Sequence, residues 1–376
     1  MKKISRTILA ASMSLALAAC NNGDKKETPA PTPTAPAQIN ISGSVFKGAL
    51  ISAKVQIYRA SDIEFLSPLI TTPEDVQTND NGDYSATIVN ANGDILVGAV
   101  VVKFTTDANT QMRCDAAVSC GDVLRGELIP TLKIAGLSLT TLTVATVKVD
   151  GTSNDIVADA NTLTTMATDA VLAQVAANPN LVLAIDTLPI EDVTALQQNA
   201  SVVVGEILGV DLSETNIYDI TIVDSTDTQG VADAVTDAEL TGTDPSITNT
   251  LTLINASLAA ITIPAESTLA EVINDYVQTV AVVANTVVEA LAEGVDIATA
   301  LADPATVDAQ VALAEAQVEI SDQVTLIQAT VEADAANEGI AVVIEVVVVP
   351  VVVQPIEVEL GNGVITVTGG TGATDG

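Results

Sequence analysis

From Ile39 onward apolar residues recur at every second position. Ile39, Ile41 and Val45 lead into a turn at Lys47-Gly48, Val55, Ile57 and Tyr58 form a second run, and Tyr84, Ala86 and Ile88 form a third behind Asn79-Asp80-Asn81-Gly82-Asp83. Asn90-Ala91-Asn92-Gly93-Asp94 marks another turn, before the apolar stretch Ile95 to Phe104. A period of two places alternate side chains on one face of a strand, and Asn-Gly and Asp-rich turns reverse the chain. These segments predict an antiparallel β-sandwich. Leu128 to Val149, rich in Thr and β-branched residues, extends the strand pattern.

Near Asp150 the period changes from 2 to 3.6. Leu163, Met166, Ala167, Ala170, Val171 and Gln174 make one helical stripe, which ends before Asn178-Pro179. A second runs from Val193 through Leu196, Ala200, Val203, Val204 and Ile207 to Leu208, stopped by Gly209. Ile247, Leu251, Ile254, Leu258 and Ile261 mark a third. In the fourth, Thr268 and Glu271 have capping-box spacing, an apolar face runs from Leu269 to Leu291, and Gly294 follows. Asp303-Pro304 reads as the N-cap and first position of a fifth, carrying Val307, Val311, Ala314, Val318, Thr325 and Val331 towards Gly339. Amphipathic helices with acidic outer faces predict an antiparallel bundle.

The end of the chain returns to β. Ile340 to Val353 is almost purely β-branched, but Glu345 and Pro350 interrupt it and it is too short to span a bilayer. Ile356 to Leu360, Gly361-Asn362-Gly363 and Val364 to Thr368 read as a hairpin.

The residues before Ile39 are of a different kind. Lys2, Lys3 and Arg6 form a basic start, Ile8 to Ala16 an apolar run, and Leu17-Ala18-Ala19-Cys20 a small-residue close, the order of a secretory signal peptide. The last four residues resemble the lipobox of bacterial lipoproteins. That resemblance implies acylation of Cys20, cleavage before it and, with Asn21 following, sorting to the outer membrane. An ordinary signal peptide cut at Ala19 is the alternative. Asn21 to Gln38, with Pro29, Pro31, Pro33 and Pro36 among Ala and Thr, reads as an extended semi-rigid spacer.

The stretch ISGSVFKGALISAKVQIYRAS, followed by TNDNGDYSATI, resembles the opening of the carboxypeptidase-regulatory-like, transthyretin-like sandwich. Tyr84 matches that family's buried tyrosine and Gly82 its turn glycine, while Ser52 stands where the family often has a second Gly and Ala49 where it often has Pro. The likeness covers residues 39 to about 105 and implies a fold, not an activity. MRCDAAVSCG, NTLTTMATDAV and NASVVVGEILGVD are similar to segments of exported lipoproteins in which this sandwich precedes a helical region. The expected organisation is α+β and multidomain: signal peptide 1–19, linker 20–38, β-sandwich 39–149, all-α acidic helical bundle 150–339, and C-terminal strands with a Gly-rich tail 340–376.

Composition limits the chemistry. Hydrophobic residues are 48 % of the chain and aromatics only 2 %, so Val, Ala, Leu and Ile must fill the core. The sequence has no His, the side chain most used for acid–base work and metal ligation near neutral pH. Charge divides the chain more sharply. The first 148 residues hold all 13 Lys and Arg and 13 of the 48 acids; the 228 residues from Val149 onward hold the other 35 acids and no cation. Such a segment repels polyanions, which argues against nucleic-acid binding.

With Cys20 assigned to lipid, Cys114 and Cys120 remain as a disulfide pair in an exported compartment. The residues between them must loop back, and the closure contributes ~2 kcal/mol on the chain-entropy model. A metal site at this pair lacks further Cys or His ligands. Ser44 and Lys47 have the Ser-x-x-Lys spacing of penicillin-binding enzymes but sit in a strand-and-turn pattern without the partner motifs. Asn79, Asp80, Asn81 and Asp83, or Asp150, Asn154 and Asp155, offer oxygens for weak calcium binding, although turn chemistry also accounts for them. No catalytic residue, metal ligand or cofactor is assigned. The expected function is a non-enzymatic binding, adhesion or structural module, held at the membrane by its N-terminal lipid and facing a protein or envelope-polysaccharide ligand. An exported glycan hydrolase using paired carboxylates is the alternative.

Overall fold

The computed structural model describes residues 39–88, 98–146, 154–264, 266–292, 299–300, 307–341, 355–360 and 363–368, with Val295 and Val346. The class is α+β. The strands in the first part are β1 (Ile39–Phe46), β2 (Leu50–Ile51), β3 (Lys54–Arg59), β4 (Thr71–Thr72), β5 (Asp83–Ile88), β6 (Gly98–Thr105), β7 (Gln111–Arg113), β8 (Ser119–Cys120), β9 (Val123–Leu124) and β10 (Leu128–Ile129). A one-turn helix α1 (Thr131–Ile134) then precedes β11 (Ser138–Ala145), β12 (Asn154–Val157) and β13 (Ala160–Asn161).

The alternating runs pair as antiparallel strands. β5 pairs with β1 from Ile39 opposite Ile88 to Ser44 opposite Asp83, and β4 adds outside β5. A second sheet has β6 at its centre, between β3 and β11. The first five residues of β6 are buried, as expected for a central strand covered on both faces. The Tyr84 ring meets Phe104 edge-on at 5.0 Å, joining β5 of one sheet to β6 of the other. The Tyr84 hydroxyl donates to Ala158 O at 2.8 Å. Gly82 has φ 85° and its carbonyl accepts from Val45 N–H at 2.9 Å, the geometry a turn glycine supplies. Ser52 has φ 56°, so a side chain is carried in the left-handed region there.

Two segments depart from the sequence reading. Leu128 to Val149 is not one continued strand, because α1 and the left-handed Gly136 separate β10 from β11. Between Asp150 and the first helix, β12 and β13 run parallel to β1, with Ile39 opposite Asn154 and Val45 opposite Ala160. The chain therefore returns to the first sheet before it becomes helical.

The helices are α2 (Thr162–Ala177), α3 (Pro179–Ala184), α4 (Ile190–Leu208), α5 (Thr228–Thr241), α6 (Pro245–Ser257), α7 (Leu269–Ala292) and α8 (Val307–Glu338). Asn161 starts α2 with a capping box closed by Thr164, so β13 passes into the helix without leaving backbone N–H groups unbonded. α2 is buried on nearly every side and packs against β11, α4 and α7. It is the centre of the helical part rather than one of its amphipathic walls. Gly209 closes α4 at φ 74°, Asp244 caps α6 with Pro245 behind it, and Thr268 and Glu271 form the expected reciprocal cap on α7. The expected cap at Asp303-Pro304 and most of Ile340 to Val353 lie outside the described residues. β14 (Pro355–Leu360) and β15 (Gly363–Thr368) form the expected C-terminal hairpin. Residues 37–376 are one compact unit, and a single hydrophobic cluster runs from Ile39 in β1 to Val331 in α8.

Candidate functional site

Two places in the fold gather polar chemistry. The first begins at the turn after β1. Gly48 (φ 59°) lies so close to Arg113 that a Cβ would stand 1.8 Å from the Arg113 carbonyl oxygen, and this contact lays Lys47-Gly48-Ala49 along residues 113–115. Lys47 and Asp115 are both fully buried. Lys47 Nζ is 3.2 and 3.4 Å from the two Asp115 carboxyl oxygens and 3.4 Å from Ala256 O, while Gly48 N–H donates to Asp115 Oδ2 at 2.7 Å. Asp224, also buried, accepts from Ala49 N–H at 3.1 Å and pairs with Arg113 at 3.3 Å. Arg125 pairs with Asp334 of α8 and donates to the carbonyls of Asp115, Ala116 and Ser225. Burial pulls the Lys47 ammonium down against the opposing pull of Asp115. Burial likewise pushes the Asp115 carboxyl up, against Lys47 and with Asp224.

The second place is a pocket of about 330 Å³ between α4, α6, α7 and α8. Ile254, Ile320, Val324 and Leu208 give it an apolar wall, and Glu206, Tyr276 and Gln317 bring polar groups to it. Glu206 is in the last turn of α4, and burial followed by the nearby charge of Asp211 raises its carboxyl to about 7. A helix C-terminus acts in the same direction. One Glu206 carboxyl oxygen and the Tyr276 hydroxyl have no protein partner, although Tyr276 is only 6 % exposed. Burial raises the Tyr276 hydroxyl as well, so the neutral phenol is its form in the fold. Among the described residues, α6 and α8 present uncharged side chains to this pocket, leaving Asp211 and Tyr276 as the titratable groups that face Glu206.

The residues singled out in the sequence fall elsewhere or take other parts. Cys20 lies outside the described residues. Cys114 and Cys120 form a disulfide with a Cα–Cα distance of 5.7 Å, closing the loop that contains Asp115 and leads into the β8–β9 hairpin. Ser44 and Lys47 do not work together, since the Ser44 hydroxyl donates to Asp83 while Lys47 meets Asp115. Asn79 Oδ1 accepts from the N–H groups of Asn81 and Asp83, and its amide donates to Asp83 Oδ2, so these two oxygens are bonded within the turn. Asp155 accepts from Asn40, and Asp150 lies outside the described residues. Among the described residues no group of three or more Cys, Asp or Glu is placed to hold a metal ion, and no described helix is long and apolar enough to cross a membrane.

Sequence reasoning missed Glu206, Tyr276, Asp115 and Asp224. A signal existed for two of them: Glu206 is the acid inside VVVGEILG, and Tyr276 is one of two aromatic residues after Val149. The chain matches no family model, no curated protein and no solved structure.

Proposed function

We propose that this chain is a lipid-anchored protein of the cell envelope, held to the outer membrane through Cys20, with a transthyretin-like β-sandwich (39–149) carrying an acidic helical bundle (150–339). Its activity is non-enzymatic binding of a small ligand in the interhelical pocket. The lipobox-like Leu17-Ala18-Ala19-Cys20 and the spacer behind it support the anchor. Antiparallel pairing around β5 and β6 with a buried, hydrogen-bonded Tyr84 supports the sandwich.

One observation carries the binding role: a Glu206 oxygen and the Tyr276 hydroxyl stand without protein partners at a pocket that has an apolar wall of Leu208, Ile254, Ile320 and Val324. A buried polar group left unbonded costs about 1–3 kcal/mol, which a ligand group can recover. The chemistry of the lining selects the ligand. Glu206 offers an acceptor that becomes anionic near neutral pH, and the net charge of −35 draws cations. A compact apolar molecule bearing an ammonium group fits both. Hydrolysis by paired carboxylates needs two acids ~5–10 Å apart across a cleft; among the described residues the lining supplies Glu206 alone.

Titration calorimetry with cyclohexylamine, cyclohexanol and cyclohexanecarboxylate tests this reading. The amine should bind at pH 8, more weakly at pH 5.5 where Glu206 is protonated, and without preference over the alcohol in Glu206→Gln. Binding of none of the three would remove the pocket as a ligand site. Cys20→Ser should release the protein from membranes, and a variant still sedimenting with salt-washed outer membrane would remove the anchor.

A further inference from the structure

We propose that Lys47 and Asp115 condense to an amide, a covalent cross-link between the turn after β1 and the disulfide loop after β7. The geometry places the reacting atoms together: Nζ faces both oxygens of the carboxyl at 3.2 and 3.4 Å, with both side chains fully buried. Lysine is among the residues least often buried completely, and a carboxylate buried beside it needs equal explanation. Three hydrogen-bond donors on an ammonium meet only contacts of 3.2 to 3.4 Å here, long for charge-assisted bonds.

The surroundings suit an amide better than an ion pair. After condensation the remaining N–H points at Ala256 O, and the retained Oδ2 keeps the 2.7 Å hydrogen bond from Gly48 N–H. Each polar atom of the new amide then has a partner, and two charges have left a site where desolvation penalises both. The same desolvation drives Lys47 towards the free amine and Asp115 towards the carboxylic acid, the forms that react.

The step balances without an outside reagent. Ammonium and carboxylate exchange a proton, the amine nitrogen attacks Cγ of Asp115, the Cγ–Oδ1 bond breaks, and one water leaves as the amide forms. Asp224 is the other carboxylate whose charge both partners feel, and its Oδ2 is fixed by Ala49 N–H and Arg113. The second nitrogen proton leaves with the departing hydroxyl as water.

Mass spectrometry of the full chain decides the matter. The intact mass should fall one water below the value calculated for the same chain with the Cys114–Cys120 disulfide and any cleavage and acylation at Cys20 counted. Digestion of the reduced, denatured protein should leave the Lys47–Gly48 bond uncut by trypsin and yield a branched peptide joining Lys47 to Asp115. Lys47→Arg and Asp115→Ala should restore the linear mass. A wild-type chain at full mass, cut after Lys47, overturns the proposal whatever the variants do.

Discussion

The first 148 residues and the 228 that follow bury the same kind of aliphatic core but handle charge in opposite ways. The first part is neutral, whereas the second holds 35 acids and no cation. A region so composed has no side-chain ion pair of its own, and the structure shows what replaces it. Asp186, Asp224 and Asp334 each meet an arginine from the first part: Arg59, Arg113 and Arg125. Two of those arginines lie beside the disulfide loop, in the stretch that also supplies Asp115. Backbone contacts follow the same line. Gly98 at the start of β6 sits against Asp186, where a Cβ would stand 1.7 Å from its carbonyl oxygen. The acidic part is thus complemented by the sheet part in charge as well as in packing.

The largest effect should come from breaking the most buried contact. Lys47→Met leaves the Asp115 carboxyl buried without its partner, and removing one member of a buried pair costs about 3–5 kcal/mol. Adding Asp115→Leu separates two sources of that loss. A plain ion pair replaced by two apolar side chains should regain most of the stability. A covalent link would not be regained, since closing a loop of 68 residues is worth about 4 kcal/mol on the chain-entropy model. Urea denaturation of the single and double variants should therefore leave both well below wild type.

Much of this arrangement was legible from residue spacing, and the illegible part has physical causes. β1, β3, β5, α2, α4, α6 and α7 announced themselves because one face carries the burial and turn or cap residues bound them. α5 did not, since Val231, Ala234 and Ala238 make too thin an apolar stripe among acids and threonines. β12 and β13 are too short for a period to show, and what makes them strands is the edge of β1 beside them. The polar centres were hidden for a different reason. Lys47 and Asp115 are 68 residues apart, and Glu206 and Tyr276 sit on different helices, so only the folded chain brings each set together. The charge division was visible at once, but which arginine meets which acid was not.

A second prediction uses pH to separate the parts. Burial lifts Glu206 to about 7, and lifts Asp169 to about 6 against the pull of Lys103. Both belong to the acidic part. A carboxyl raised in the fold binds its proton more tightly there than in the unfolded chain. Its contribution is fully present below the unfolded value near 4 and is lost as pH rises through the folded value. The urea midpoint should fall from about pH 4.5 to about pH 7 and flatten above that. Glu206→Gln should remove the upper part of the decline while leaving the part near pH 6. A midpoint rising across this window would mean that these carboxyls are solvated rather than buried.

The smallest expected effect concerns the exposed end of the charge division. Arg59 is half exposed and 3.9 Å from Asp186, a geometry worth about 0–1 kcal/mol. Asp186 also accepts from the backbone and hydroxyl of Ser61 at 3.1 and 2.6 Å, so its position survives without the arginine. Arg59→Ala should therefore lower the melting temperature slightly in dilute buffer and not at all at 0.5 M NaCl, where such pairs are screened. The wild-type chain should respond to salt in the opposite sense. The Debye length falls from ~30 Å at 0.01 M to ~10 Å at 0.1 M, which relieves repulsion among 35 acids more than it weakens a few pairs. Melting temperature should rise over that range of NaCl, and a flat series would show that the acids lie too far apart to repel. A parallel series in CaCl₂ at fixed ionic strength distinguishes screening from a site. Screening depends on ionic strength alone, whereas a specific cation stabilises by mass action and keeps adding stability logarithmically above its dissociation constant. Coincident curves would assign the whole salt response to the unpaired charge of the acidic part.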